Sequence, residues 1–249
     1  MLGKALLLLV CCAALSYGVP QLTNNRISGG IPAFKGEFPW HVSIQRAIPG
    51  YNWTHLCDGA IVSTEFVITN GWCSSFDIDT YQVAAGSVDW VNPGSTHKVV
   101  EFIDDPLHYG SLTLWKVDPP FEFTVFLSPV RLPDAFVESC PGTEMTVSGW
   151  GESEPYQPSN QLVKLNSLIV SKALCYPLAP GIRSLVYHIC AKSSSDESGF
   201  CNHAGGFGSP LVYNGELRGL FHYQTGCEFP VVYTEVSLFR EWISDVTGV

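Results

Sequence analysis

Glycine and proline interrupt this chain at short intervals, 23 and 17 of them in 249 residues. The apolar stretches between them are brief and rich in valine, isoleucine and aromatics, which predicts an all-β protein. Val67-Ile68-Thr69, Gln82-Val83-Ala84-Ala85, Lys98 to Ile103, Thr146-Val147-Ser148 and Gly219-Leu220-Phe221 read as strands. Only the end reads as helix: from Ser237 to Val246 the apolar Phe239, Ile243 and Val246 repeat at i, i+4 and i+7, and Ser237 is the expected N-cap. Many short strands and one terminal helix point to barrels or a sandwich, and periodicity does not choose between them. A hydrophobic share of 46% at this length supplies one or two buried cores.

Residues 1–18 read as a signal peptide, with Lys4, an apolar run from Ala5 to Leu15, and the small residues Ser16 and Gly18 before the expected cut. That run is about half the length needed to span a bilayer. A secreted, extracellular protein without a membrane span is the expectation. Cleavage removes Cys11 and Cys12 and leaves Cys57, Cys73, Cys140, Cys175, Cys190, Cys201 and Cys227 in an oxidising compartment. No two of these form a C-x-x-C pair, so disulfides are expected rather than a metal centre, and the odd count leaves one thiol over. Asn52-Trp53-Thr54 is an N-glycosylation sequon. Lys4 leaves with the leader, taking 13 basic residues to 12 against 23 acidic ones and the net charge from −10 to −11. Such a balance argues against nucleic acid and anionic membranes as partners.

A run of short segments then appears in a very specific order: Arg26-Ile27-Ser28-Gly29-Gly30, Phe38-Pro39-Trp40-His41-Val42-Ser43-Ile44, Cys57-Asp58-Gly59-Ala60-Ile61-Val62, Asp118-Pro119-Pro120, Ser128 to Pro133, Ser148-Gly149-Trp150-Gly151, Gly208-Ser209-Pro210-Leu211-Val212 and Val232 to Val236. On these segments the chain resembles the trypsin/chymotrypsin-like (S1) serine proteases, with an arthropod flavour, from Arg26 to the terminal helix. The resemblance implies two six-stranded antiparallel β-barrels, residues 27–130 and 131–236, a functional cleft between them and a helix over 237–249. Residues 19–26 would be a short propeptide-like segment ending at the Arg26–Ile27 activation junction. Its disulfides carry over as Cys57 with Cys73, Cys175 with Cys190 and Cys201 with Cys227, each worth about 3 kcal/mol through its closed loop. Cys140 is left as a buried inert thiol, a cross-link to a second chain or a site for a small-thiol cap, the protein otherwise being a monomer.

The resemblance also implies that the catalytic residues are replaced. The histidine stretch reads Thr69-Asn70-Gly71-Trp72-Cys73, so Trp72 stands at the base, and an indole N–H only donates. The aspartate stretch reads Ser111-Leu112-Thr113-Leu114-Trp115-Lys116, with Ser111 first. The nucleophile segment reads Gly205-Gly206-Phe207-Gly208-Ser209-Pro210, placing Phe207 at the serine, with two residues added after Cys201. Sliding the register to make Ser209 the nucleophile breaks the match at Pro210 and supplies no base. Gly206 takes the position of the aspartate that receives the new α-ammonium, so cutting at Arg26 is expected to order nothing.

The specificity pocket reads Gly199 at its base, His222-Tyr223-Gln224 along its edge and Val231 on its wall, and side chains in place of glycines there predict a filled pocket. Trp72, Phe207 and Tyr223 are expected to converge on the cleft, either filling it or forming a recognition surface. Of seven histidines only His203 and His222 fall near it, and two ligands do not make a zinc site. No cofactor or metal is expected. The resulting expectation is a secreted, non-catalytic serine protease homologue that binds proteins (proteases, inhibitors or cascade components) as a cascade cofactor, an inhibitor decoy or a salivary, venom or gut component. The alternatives are a hydrolase with a rearranged site and a storage or structural secretion.

Overall fold

A computed structural model of the chain describes residues 30–106, 111–154, 157–178, 186–194, 206–224, 226 and 229–249. The strands of the first half are β1 (Ile31–Pro32), β2 (His41–Ala47), β3 (Trp53–Ile61), β4 (Phe66–Thr69), β5 (Tyr81–Ala85), β6 (Ser95–Asp104) and β7 (Thr113–Asp118). Those of the second half are β8 (Glu144–Gly149), β9 (Glu152–Glu154), β10 (Gln157–Pro158), β11 (Val163–Val170), β12 (His188–Ser193), β13 (Pro210–Tyr213), β14 (Glu216–Tyr223) and β15 (Val231–Glu235). After β11 the short helix α1 (Lys172–Cys175) leads into a 3-10 turn, Tyr176–Leu178, and the chain closes with α2 (Arg240–Thr247).

All the strand pairings are antiparallel, and they close twice. One barrel runs β2-β3-β4-β7-β6-β5 and back to β2. The other runs β8-β11-β12-β15-β14-β13 and returns to β8. The two six-stranded barrels and the terminal helix are thus present, and every strand expected from the sequence lies within one of them. β1 pairs with β11, Ile31 opposite Lys164, so the start of the described chain is stitched to the second barrel rather than the first.

Closure leaves each barrel an interior to fill. Val42, Ile44, Val67, Val83, Trp115 and Val117 fill the first, and Val147, Leu165, Ile189, Leu211, Phe221 and Tyr233 the second. A third cluster joins the barrels to the helix: Ile68, Leu112 and Leu114 meet Leu217, Leu220, Phe239 and Ile243. Burying each of these large side chains contributes roughly 2–3 kcal/mol.

The disulfides Cys57–Cys73 and Cys175–Cys190 are formed. Cys201 and Cys227 lie outside the described residues. Cys140 is exposed and unpaired, which corrects the expectation of a buried thiol: it sits in a polar loop before β8, not on a strand facing the core. Ser237 does not cap the helix. It lies inside a 3-10 turn, Val236–Phe239, its hydroxyl buried without a partner, and α2 starts only after Phe239, with no side-chain cap. The early apolar period belongs to that tighter turn, and the helix is defined at its other end by Gly248 in the left-handed conformation.

Candidate functional site

The inter-barrel crevice begins at Asn70, directly after β4. Its Oδ1 accepts the Trp72 backbone N–H at 2.9 Å and starts the 3-10 turn Gly71–Ser74, which the Cys57–Cys73 disulfide pins to β3. That turn presents Trp72 outward, its side chain 52% exposed. From the second barrel Phe207 meets it, ring centroids 4.7 Å apart and planes 32° off parallel, a near-stacked pair. Phe207 in turn stands edge-on to Phe221 at 5.7 Å and packs against the cores of both barrels.

Tyr223 does not join this set. The β14–β15 register shifts between Phe221, opposite Tyr233, and Tyr223, opposite Val232. Such a bulge puts Phe221 and Tyr223 on opposite faces of a strand where strict alternation would have placed them together. Tyr223 packs instead against Val170, Val232 and the Cys175–Cys190 disulfide.

His222 is the residue taken up in that bulge. Its Nδ1 accepts from Asn70 Nδ2 at 3.0 Å, and its ring lies 4.8 Å from that of His188. Burial pushes its pKa down to about 4, so the imidazole is neutral near pH 7 and a weak base. Ser111 is buried below, its carbonyl accepting from Asn70 Nδ2 at 3.5 Å and from the Thr234 hydroxyl at 3.4 Å. Trp72, Phe207, Ser111 and His222 are therefore gathered at one place, with Asn70 as the tie between them.

A second polar cluster, not foreseen from the sequence, lies behind Phe207. Asp58 is fully buried; His41 Nε2 donates to its Oδ1 at 2.9 Å and Ser209 Oγ to its Oδ2 at 2.5 Å. His41 Nδ1 meets Ser148 Oγ at 2.9 Å, and His55 Nε2 lies 3.8 Å from the same carboxylate. Because Ser148 and Ser209 belong to the second barrel, the cluster ties the two barrels together. The backbone joins in: Asp58 N–H donates to the Phe207 carbonyl at 2.8 Å. Gly208, at φ +80°, packs so closely that a Cβ would overlap the Asp58 carbonyl oxygen and the Thr69 hydroxyl. Ser209 has the serine, carboxylate and imidazole company of a catalytic group, yet is sealed from solvent. The sequence signal was there in Asp58, one acid in the otherwise apolar run Leu56 to Val62.

Of the pocket residues, Val231 is buried in the second barrel's core and Gln224 Nε2 donates to the Phe229 carbonyl at 3.4 Å. Beside Val231, the Tyr233 hydroxyl is buried without a partner, and burial pushes its pKa up. Gly206 is buried in the turn before Ser209. Arg26, Ile27, Gly199 and His203 lie outside the described residues. Asn52 is exposed just before β3, its carbonyl accepting from the Thr54 hydroxyl. No group of three histidine, cysteine or acidic side chains among the described residues is placed to hold a metal ion, and none of the described helices is long and apolar enough to cross a membrane.

Comparison with known proteins fits this geometry. The family model described as Trypsin matches residues 27–243. Hypodermin-B of Hypoderma lineatum is 32% identical over 260 residues, covering 96% of both chains. Trypsin alpha of Drosophila melanogaster is 30% identical over 238 residues, 90% of this chain and 88% of the relative. Among solved structures, human heparin binding protein superposes with a TM-score of 0.75 at 26% identity, over 88% of this chain and 96% of that one. By fold, motif order and relatives, this chain belongs to the trypsin (S1) family.

Proposed function

We propose that this protein is a secreted, non-catalytic member of the trypsin family that binds other proteins through its inter-barrel crevice. One observation carries the reading: the Trp72 and Phe207 rings are packed on each other at 4.7 Å where a general base and a nucleophile would have to meet. Neither side chain can take up or give an electron pair to a carbonyl. Ser111 brings no carboxylate, and His222, at a pKa of about 4, is a poor base. The rearranged-hydrolase alternative would need Ser209, whose hydroxyl is buried and committed to Asp58.

An exposed indole backed by a half-buried phenyl ring is the kind of anchor that protein interfaces use. Its partner class is a protease, an inhibitor or a cascade component. Heparin binding protein is named for a polyanion, but at a net charge of −10 this chain is poorly suited to one. Secretion is supported by the leader-like residues 1–18 and by two formed disulfides, and exposure of Asn52 supports its glycosylation.

The test has two arms. A fluorophosphonate probe and a panel of fluorogenic peptides are expected to show neither labelling nor turnover; either one rejects the non-catalytic reading. Capture from the source fluid with the wild-type chain and with Trp72→Ala is expected to retain a protein on the first and lose it on the second. Equal capture by both removes the crevice as the binding site.

A further inference from the structure

On the first barrel, apart from the crevice, a cavity of about 560 Å³ opens between the start of β3, the 3-10 turn Ile78–Thr80 and the β6–β7 edge. None of its lining residues contributes to the site described above. Trp53, 39% exposed, forms the apolar part of its wall with Ile78, Val99 and Pro119.

Its polar groups are unevenly spent. The Tyr81 hydroxyl donates to the Cys73 carbonyl at 2.7 Å, and both ring nitrogens of His97 are engaged, by Pro119 O at 2.6 Å and Ser95 Oγ at 2.8 Å. Gln82 commits its Nε2 to Gln45 Oε1 at 2.7 Å. Asp79 and Asp118 are exposed on the lining, and no ion pair among the described residues holds either carboxylate. Lys98 stands opposite Asp118 in the β6–β7 register and is the single fixed cation there. Two carboxylates without an ion partner thus stand with one lysine around an exposed indole. A second cavity of about 470 Å³ shares Thr96, His97 and Pro119 with this one and continues over Pro120, Phe126 and Leu127, giving an apolar stem room to lie; Lys35, its Nζ 4.7 Å from the Phe126 ring centroid, and Glu122 line it too.

We propose that this cavity binds an organic cation, an ammonium group on an apolar stem. The carboxylates of Asp79 and Asp118 receive its hydrogens, and the Trp53 face supplies a cation–π contact. The acidic chain, with 23 acidic against 13 basic residues, draws such a ligand in. Lys98 is then a competitor for the same acceptors, which gives the idea a sharp test. An anionic or neutral ligand would use Lys98, and only a cation gains from its removal.

Calorimetric titration of the full chain with phenethylamine, and with its neutral isostere 2-phenylethanol, tests this. The amine is expected to saturate a single site and the alcohol not to bind. Asp79→Asn with Asp118→Asn should weaken the amine about thirtyfold, the loss of two unit charges at contact distance in water. Lys98→Gln should tighten it. All three substitutions are at exposed positions, and an unchanged near-ultraviolet circular dichroism spectrum verifies the fold. No saturable binding, equal binding of amine and alcohol, or weakening by Lys98→Gln overturns the proposal. A capped lysine, Nα-acetyl-lysine amide, identifies the source: binding as tight as the amine's assigns the occupant to a partner protein's side chain, and weaker binding assigns it to a free amine.

Discussion

The imidazole of His41 donates to the carboxylate of Asp58 at 2.9 Å inside a space from which water is shut out. Together with Ser209 and Ser148 this pair joins one barrel to the other, so its integrity is a matter of how the two barrels dock. Asp58→Ala should remove about 3–5 kcal/mol of stability, because His41 and Ser209 are left buried without their acceptor. Urea denaturation followed by tryptophan fluorescence measures it, and a loss below about 1 kcal/mol would deny the cluster its role.

Gly208 lies on the same seam. Gly208→Ala places a methyl group against backbone and hydroxyl oxygen at φ +80°, where nothing flexible can give way, so this variant should fold poorly or not at all. Gly142, at φ +87° with open space around it, is the control: Gly142→Ala should cost only about 1 kcal/mol. Comparable losses at the two sites would contradict the close packing of the Phe207–Ser209 turn on β3.

His222 predicts a pH dependence. Its pKa is about 4 in the folded chain against 6.5 unfolded, so between those values the unfolded chain holds more protons and acid favours unfolding. The stability linked to this group is complete above pH 6.5 and falls as pH drops toward 4, by about 3 kcal/mol in all. Denaturation midpoints at pH 7.5 and 4.5 should converge in His222→Gln relative to wild type. An unchanged pH slope in the variant would place the titration elsewhere.

Trp72 and Phe207 should separate recognition from stability. Trp72→Ala, at a half-exposed position, is expected to lower partner affinity at least tenfold while shifting stability by no more than about 1 kcal/mol. Phe207→Ala should cost about 2–4 kcal/mol, since its ring fills space against both cores. Restoring polar groups through Trp72→His and Phe207→Ser should give no peptidase activity, because Ser111 offers no carboxylate to orient the imidazole.

Much of this molecule was legible from sequence because its information is local and ordered. Segments such as Ser148-Gly149-Trp150-Gly151 and Gly208-Ser209-Pro210 follow one another in a very specific order, and the resemblance they carry implied both disulfides that are described. What escaped depends on three-dimensional registration. A one-residue bulge sends Tyr223 away from Phe221, and no alternation rule reveals a bulge in advance. Asp58 finds His41 17 residues away and Ser209 151 residues away, a meeting set by barrel closure. Ser237 has the residue type of a cap but is drawn inward by the 3-10 turn that holds it.

The half-buried ring of Phe207 packs at once against the core of each barrel. Neither half can therefore loosen around it without disturbing the other, and calorimetry should record one melting event for the pair. The same sharing acts as an evolutionary ratchet: a small hydroxyl-bearing residue returning to this position would open a void in two interiors in a single step, before any chemistry could be regained.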